Sequence, residues 1–216
     1  MQGYPSDFTS PSSFRPLNAS VKYIPRDLPS SYVQSWFLSL QREIARNTLL
    51  DVAYVGNRAV KLPMTADFNQ ARPNGPTENA TLQARRRIPT YAAINIYFPG
   101  GWSNYNAFQL RFERRAAGGL YLLSSFTWSH NIDFVGELLN NGESISPYRD
   151  QYNPGIERAS SNQDRRLISV TSFVYELPFG KGRKMLGAAG RPLDMVVGGW
   201  QVAGIWTQST ELPWSV

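Results

Sequence analysis

The chain has 216 residues, 42% of them hydrophobic, 13% aromatic and only 18% charged, with a net charge of +6. That hydrophobicity excludes a disordered composition, and the low charge leaves a polar surface built from Ser, Thr, Asn, Gln and Gly. The absence of cysteine excludes disulfides, thiolate zinc sites and thiol catalysis, and no stretch approaches the ~18 consecutive apolar residues of a transmembrane helix.

Basic residues cluster only as Arg85-Arg86-Arg87 and between Lys181 and Lys184. Both clusters sit in loop-like sequence without the interleaved aromatics of a nucleic-acid stacking platform. A mildly basic surface is the plainer reading, and nucleic acid is not expected as a partner.

Residues 1–30 are rich in Pro, Ser and Asp without periodicity and read as loop. The opening "MQGYPSDFTSPSSFRP" lacks the basic start and apolar core of a signal peptide. The first ordered run is "SYVQSWFLSLQREI", in which Tyr32, Trp36, Leu38 and Leu40 share one parity and Ser35, Ser39 and Gln41 the other. After "ARNT", the run "LLDVAYVG" sets Leu50, Val52 and Tyr54 opposite Asp51 and Ala53. Two alternating runs joined by a short turn predict a β-hairpin over about 31–56.

A second hairpin is predicted over about 104–131. Phe108, Leu110 and Phe112 alternate with Gln109, Arg111 and Glu113, and "AAGG" then turns the chain through Gly118 and Gly119. Beyond the turn, Leu120, Leu122, Phe126 and Trp128 alternate with Tyr121, Ser125, Thr127 and Ser129. A third pair, over about 165–209, joins "RLISVTSFVYEL" to "GGWQVAGIWTQS". No proline falls inside the six runs, as hydrogen-bonded strands require.

Short turns near 43–47 and 115–119 alternate with long loops over about 57–102 and 132–163. Compact soluble domains connect their elements through ~4–6 residues. Short turns at one end and long loops at the other are the pattern of a bacterial outer-membrane barrel. The segment from Pro178 to about Val197 departs from it, being long at the short-turn end. Run length points the same way, because a tilted strand needs ~9–11 residues to cross the hydrocarbon. The expected fold is therefore all-β: an antiparallel up-and-down meander of about six long strands, part of a large transmembrane barrel and open because it is incomplete. Phe108, Leu110, Phe112, Leu120, Leu122, Phe126 and Trp128 are the expected lipid-facing residues. Gln109, Arg111, Glu113, Ser125 and Thr127 are the expected lumen lining.

"SNYNAFQLRFERR", followed by its Gly turn and "LYLLSSFTWSHNID", resembles a recurring hairpin of TonB-dependent receptor-like outer-membrane proteins common in Acidobacteria, the type with a carboxypeptidase-regulatory-like domain. "WFLSLQREIARNTLLDVAYVGNRAVKL" is similar to an earlier hairpin of the same barrels, and "DRRLISVTSFVYELPFGKGRK" with "VVGGWQVAGIWTQSTELPWSV" to the next strand pair. The resemblance implies a middle-to-late piece of a barrel of about 22 strands, located in the outer membrane of a Gram-negative-type bacterium. It further implies energy-coupled uptake of an unidentified ligand. The partners would be outer-membrane lipid and, through upstream regions, the TonB system.

Catalytic and metal signals are weak. His130 stands alone among ligand-type residues, and a structural or solvated role is expected. "GKGRK" at 180–184 lacks phosphate-loop spacing and reads as a basic turn. Asp133, Glu137, Glu143, Asp150 and Glu157 are scattered through one loop. No cofactor, metal or enzymatic activity is expected. Two other readings stay open: a structural or adhesive barrel without transport, and a soluble carbohydrate-binding β-sandwich.

Overall fold

The computed structural model describes residues 21–74, 79–134, 149–188 and 190–213. Its strands are β1 (Val21–Tyr23), β2 (Tyr32–Ala45), β3 (Thr48–Asp67), β4 (Ile94–Ala117), β5 (Leu120–Asp133), β6 (Ala159–Ser160), β7 (Leu167–Glu176) and β8 (Gln201–Ser209). A 3₁₀ turn covers Pro154–Glu157, and one short helix, α1, covers Arg191–Val197.

All eight strands belong to one sheet in the order β2-β3-β4-β5-β7-β8, with β1 beside β4 and β6 beside β5. Long strands thus neighbour one another in chain order, which is the expected meander of six. β2 and β8 end the order and are not paired with each other, so the sheet is open. β7 is antiparallel to both neighbours: Leu122 faces Phe173 and Phe126 faces Ser169 across one ladder, while Thr171 faces Trp206 across the other.

The chain divides into two compact units. One holds 34–58, 104–132 and 160–216, and so contains both hairpin turns and all of β7, α1 and β8. Its strands leave large apolar side chains uncovered, among them Phe37, Leu38, Leu40, Ile205 and Trp206. A soluble β-sandwich would bury such a face against a second sheet. Among the described residues the buried hydrophobics are Ala53, Ala59, Met64, Ala66, Ala107 and Phe134, too few and too small for a sandwich core.

The other unit holds 1–33, 59–103 and 133–159. Here the structure corrects the expected loop boundaries. β3 continues to Asp67 and β4 begins at Ile94, so both ends of the loop expected over 57–102 are strand. The sequence signal was masked by Pro63 and Pro99, which lie inside these extensions. Lys61 accommodates the first with a left-handed φ of 58°, its carbonyl accepting from Ser31 Oγ at 2.6 Å. Val21–Tyr23, expected to be irregular, pairs in parallel with Ile94–Ile96. The rest of the 1–30 expectation, residues 1–20, lies outside the described residues.

Within this unit Met64 and Phe134 are buried against Leu62, Tyr97, Phe98 and Trp102, with the Trp102 and Phe134 rings stacked at 5.7 Å. The loop between β3 and β4 is tied by one side chain. Asn69, 0% exposed, donates through Nδ2 to the carbonyls of Ile88, Tyr91 and Ala92 at 3.0, 3.0 and 2.8 Å. Its Oδ1 accepts from the Ile88 amide at 2.8 Å. Asp67 secures the loop ends by accepting from the amides of Asn69 and Ile94, each at 2.9 Å. Arg86 pairs with the second Asp67 oxygen at 3.1 Å.

Two predictions follow from this local chemistry. Asn69→Ala strands several buried backbone groups, which costs about 1–3 kcal/mol; hydrogen exchange should then accelerate over residues 67–94 while β7 and β8 keep their protection. At the β4–β5 turn, Gly118 and Gly119 have φ of 69° and 83°. Valine at either costs about 1–2 kcal/mol in that conformation. Position 119 should cost more, because its Cβ would also sit 3.1 Å from the Glu176 carbonyl oxygen. Denaturation midpoints of the micelle-folded chain would rank the two, and Gly118→Asn should be tolerated as Asn47 is at φ 59°.

Candidate functional site: two faces of the strand ladder

Side chains alternate along a strand, so each turn sets which residues of its two strands share a face. At the first turn Asn47 takes the left-handed region, with its N–H donating to Glu43 Oε1 at 3.0 Å. The resulting register lets Ser39 donate to Asp51 at 2.7 Å, and places the Trp36 ring over Gly56, where any Cβ would collide with the indole. Between β3 and β4 the Arg115 amide donates to the Asn47 carbonyl, and Tyr54 donates to Asn106 at 2.6 Å. Ser39, Asp51, Arg111, Glu113 and Arg115 therefore lie on one face. Trp36, Tyr54, Asn106, Phe108, Leu110 and Phe112 lie on the other.

The second turn carries these faces onto β5. β4 ends at Ala117 and β5 begins at Leu120, and the two intervening glycines both have positive φ, as a two-residue hairpin turn demands. The Phe134 amide donates to the Trp102 carbonyl at 2.9 Å, a register that sets Trp128 against Phe108, Phe126 against Leu110 and Tyr121 against Arg115. Tyr121 is within electrostatic reach of Arg115, as that pairing requires. A recess of about 240 Å³ is lined by Phe37, Asp51, Gln109, Arg111, Ser125 and Thr127, with the Leu110–Phe126 pair between them. Ser125 and Thr127 thus share the face of Gln109, Arg111 and Glu113. Leu120, Leu122, Phe126 and Trp128 alternate with them and share the face of Phe108, Leu110 and Phe112.

The charged face pairs its charges internally. Glu113, 3% exposed, accepts from Arg111 at 2.8 Å and from Arg115 at 2.6 Å, three residues at alternate positions of one strand. A second recess beside this trio is lined by Gln41, Glu43, Asn47, Thr48 and Leu49 with Glu113 and Arg115. Further along the sheet, Ser124 of β5 and Thr171 of β7 share a hydrogen bond of 2.8 Å.

His130 is a member of a cluster. Its Nδ1 lies 2.9 Å from Asp164 Oδ2, the oxygen that also pairs with Arg166 Nε at 2.8 Å. Asp164 Oδ1 accepts from the Asn131 amide at 2.8 Å, so this carboxylate joins the end of β5 to the segment leading into β7. Among the described residues no three His, Cys, Asp or Glu side chains gather as metal ligands. Of the loop acids, Asp150 accepts from the Tyr152 amide and Glu157 pairs with Arg149, while Glu137 and Glu143 lie outside the described residues.

A meander of long antiparallel strands with one apolar and one charged face is the wall of an outer-membrane barrel. The chain belongs to the family described as the outer membrane beta barrel domain, whose model it matches over residues 1–216. It is an outer-membrane protein. No curated protein matches the chain. Among solved structures it is similar to the crystal structure of the outer membrane transporter YddB from Escherichia coli, at 16% identity and a TM-score of 0.45. The match covers 73% of this chain and 20% of that one, so the chain spans about one-fifth of the transporter's length.

The face assignment can be read by cross-linking, since the chain has no native cysteine. Leu110→Cys with Phe126→Cys places two thiols directly opposite one another and should form a disulfide on mild oxidation. Leu110→Cys with Thr127→Cys places them on opposite faces and should stay reduced. Electrophoretic mobility before and after reduction distinguishes the two.

Proposed function

We propose that the chain is a wall segment of an energy-coupled outer-membrane receptor that takes up a ligand with the help of the TonB system. The apolar face, Phe108, Leu110 and Phe112 continued by Leu122, Phe126 and Trp128, meets lipid. The opposite face, with Asp51, Gln109, Arg111, Glu113 and Arg115 continued by Ser125 and Thr127, lines the lumen.

One observation carries the lumen reading: the Arg111–Glu113–Arg115 trio, at alternate positions of a strand whose other face is Phe108, Leu110 and Phe112. Charged side chains facing lipid would be expensive, whereas a wet lumen solvates them. TonB dependence draws its support from the resemblance of all three hairpins, in order, to TonB-dependent receptor-like proteins. The protein acts by binding and passage rather than by catalysis, and nucleic acid is no part of it. Adhesion without transport is the competing outcome.

The test uses the full-length receptor carrying this segment, in outer-membrane vesicles, with purified periplasmic TonB domain as the probe. Saturable binding of the TonB domain is expected. Its absence, with the barrel correctly inserted, would favour the adhesive reading.

A further inference from the structure

β7 and β8 are antiparallel neighbours whose ends meet at Glu176 and Gln201. A two-residue turn would join them, as it joins β2 to β3 and β4 to β5 at the same end of the ladder. The chain instead inserts Leu177 through Trp200, which folds back on itself. Leu177 donates to the Trp200 carbonyl at 2.9 Å, Met185 to that of Pro178 at 2.9 Å, and Gly180 to that of Met185 at 3.1 Å. Asp194 fixes the base of α1: its Oδ1 accepts from the Lys181 amide at 2.6 Å, and its carbonyl from the Gly198 amide at 2.9 Å. The Trp200 indole donates to the Val196 carbonyl at 2.7 Å.

The described residues of this segment turn large apolar side chains outward. Met195 is 86% exposed, and Val196, Leu193, Met185, Leu186 and Trp200 are exposed with it. Interleaved with them are Lys181, Arg183, Lys184 and Arg191 against the single acid Asp194, a net charge over 178–200 of 4 − 1 = +3. The Asp194 carboxylate accepts from the Lys181 amide and Arg183 pairs with Glu176 at 3.0 Å, which leaves Lys181, Lys184 and Arg191 without an acidic partner among the described residues. Apolar residues flanked by Lys and Arg and closed by a Trp are the composition of a segment that lies in a bilayer interface.

We propose that residues 178–200 form an interfacial anchor: Met195 and Val196 enter the periplasmic leaflet, and the free cations bind its anionic phospholipid headgroups. The location follows from the short turns, which face the periplasm in this class of barrel. The occupant follows from the charge, since insertion of a few apolar side chains is weak alone and is reinforced where cations meet an anionic surface. The proposal rests on the lipid-and-lumen reading above for its placement at the membrane edge. A protein partner on the same surface is the principal competitor.

Because the chain has no cysteine, single labels report each site separately. Met195→Cys and, in a separate sample, Phe108→Cys would carry an environment-sensitive fluorophore on the full chain. Each would be folded into phosphatidylcholine vesicles with and without phosphatidylglycerol, using lipids brominated near the headgroup or deep in the chain as quenchers. The Met195 label should shift to the blue and lose emission to the shallow quencher, more strongly with phosphatidylglycerol. Replacing Lys181, Arg183, Lys184 and Arg191 by Gln should remove the phosphatidylglycerol dependence and leave Phe108 quenching unchanged. Water-like emission from the Met195 label while the Phe108 label is quenched overturns the anchor, as does quenching indifferent to lipid charge. Protection of the Met195 site in native outer membrane but not in vesicles overturns it in favour of a protein partner. Failure of the Phe108 label to be quenched by the deep lipid counts instead against the lipid-facing assignment itself.

Discussion

A strand crossing hydrocarbon can satisfy its backbone N–H and C=O groups only through neighbouring strands, and that requirement organises everything else in this chain. Once the ladders are formed, side-chain direction is no longer free: it alternates along each strand and is carried from strand to strand through the turns. The Asn47 turn keeps Asp51 with Ser39, and the β4–β5 pairing keeps Ser125 and Thr127 with Gln109 and Arg111. The apolar and charged faces are therefore single surfaces extending over several strands. Glu113 can be nearly inaccessible on a mostly exposed sheet because the strand places Arg111 and Arg115 on the same side of it.

The long strands and their order were legible because period-two alternation is a local signal, repeated six times with turn residues between. Strand ends were less legible. Pro63 and Pro99 mark breaks by any local rule, yet β3 and β4 run past both, held by pairing partners that are far away in sequence. The loop knot around Asn69 was invisible for a related reason. A lone Asn in polar sequence carries no signature of the three carbonyls it will meet, because these come from residues about twenty positions later.

Site chemistry divides along the same line. The alternation of Phe108, Leu110 and Phe112 with Gln109, Arg111 and Glu113 is written in consecutive residues and holds in the structure. The relation of that strand to β5 depends on register, which alternation along a single strand does not fix; the pairing brings Ser125 and Thr127 to the face of Gln109 and Arg111. His130 was readable only as solitary, since its partners Asp164 and Arg166 come from beyond a long loop.

The Gly118–Gly119 turn also constrains how such a chain can change over evolutionary time. Substitutions there are penalised modestly and can be compensated elsewhere. Losing or gaining one residue is different in kind: it would rotate all of β5 and present Phe126 and Trp128 to the surface now occupied by Ser125 and Thr127. The loop between β3 and β4 faces no such parity rule, because a loop of that length can absorb an inserted residue without re-registering either strand. Length variation among descendants of this sequence should accumulate in the loops, while the turn stays fixed at two residues even where its glycines are replaced.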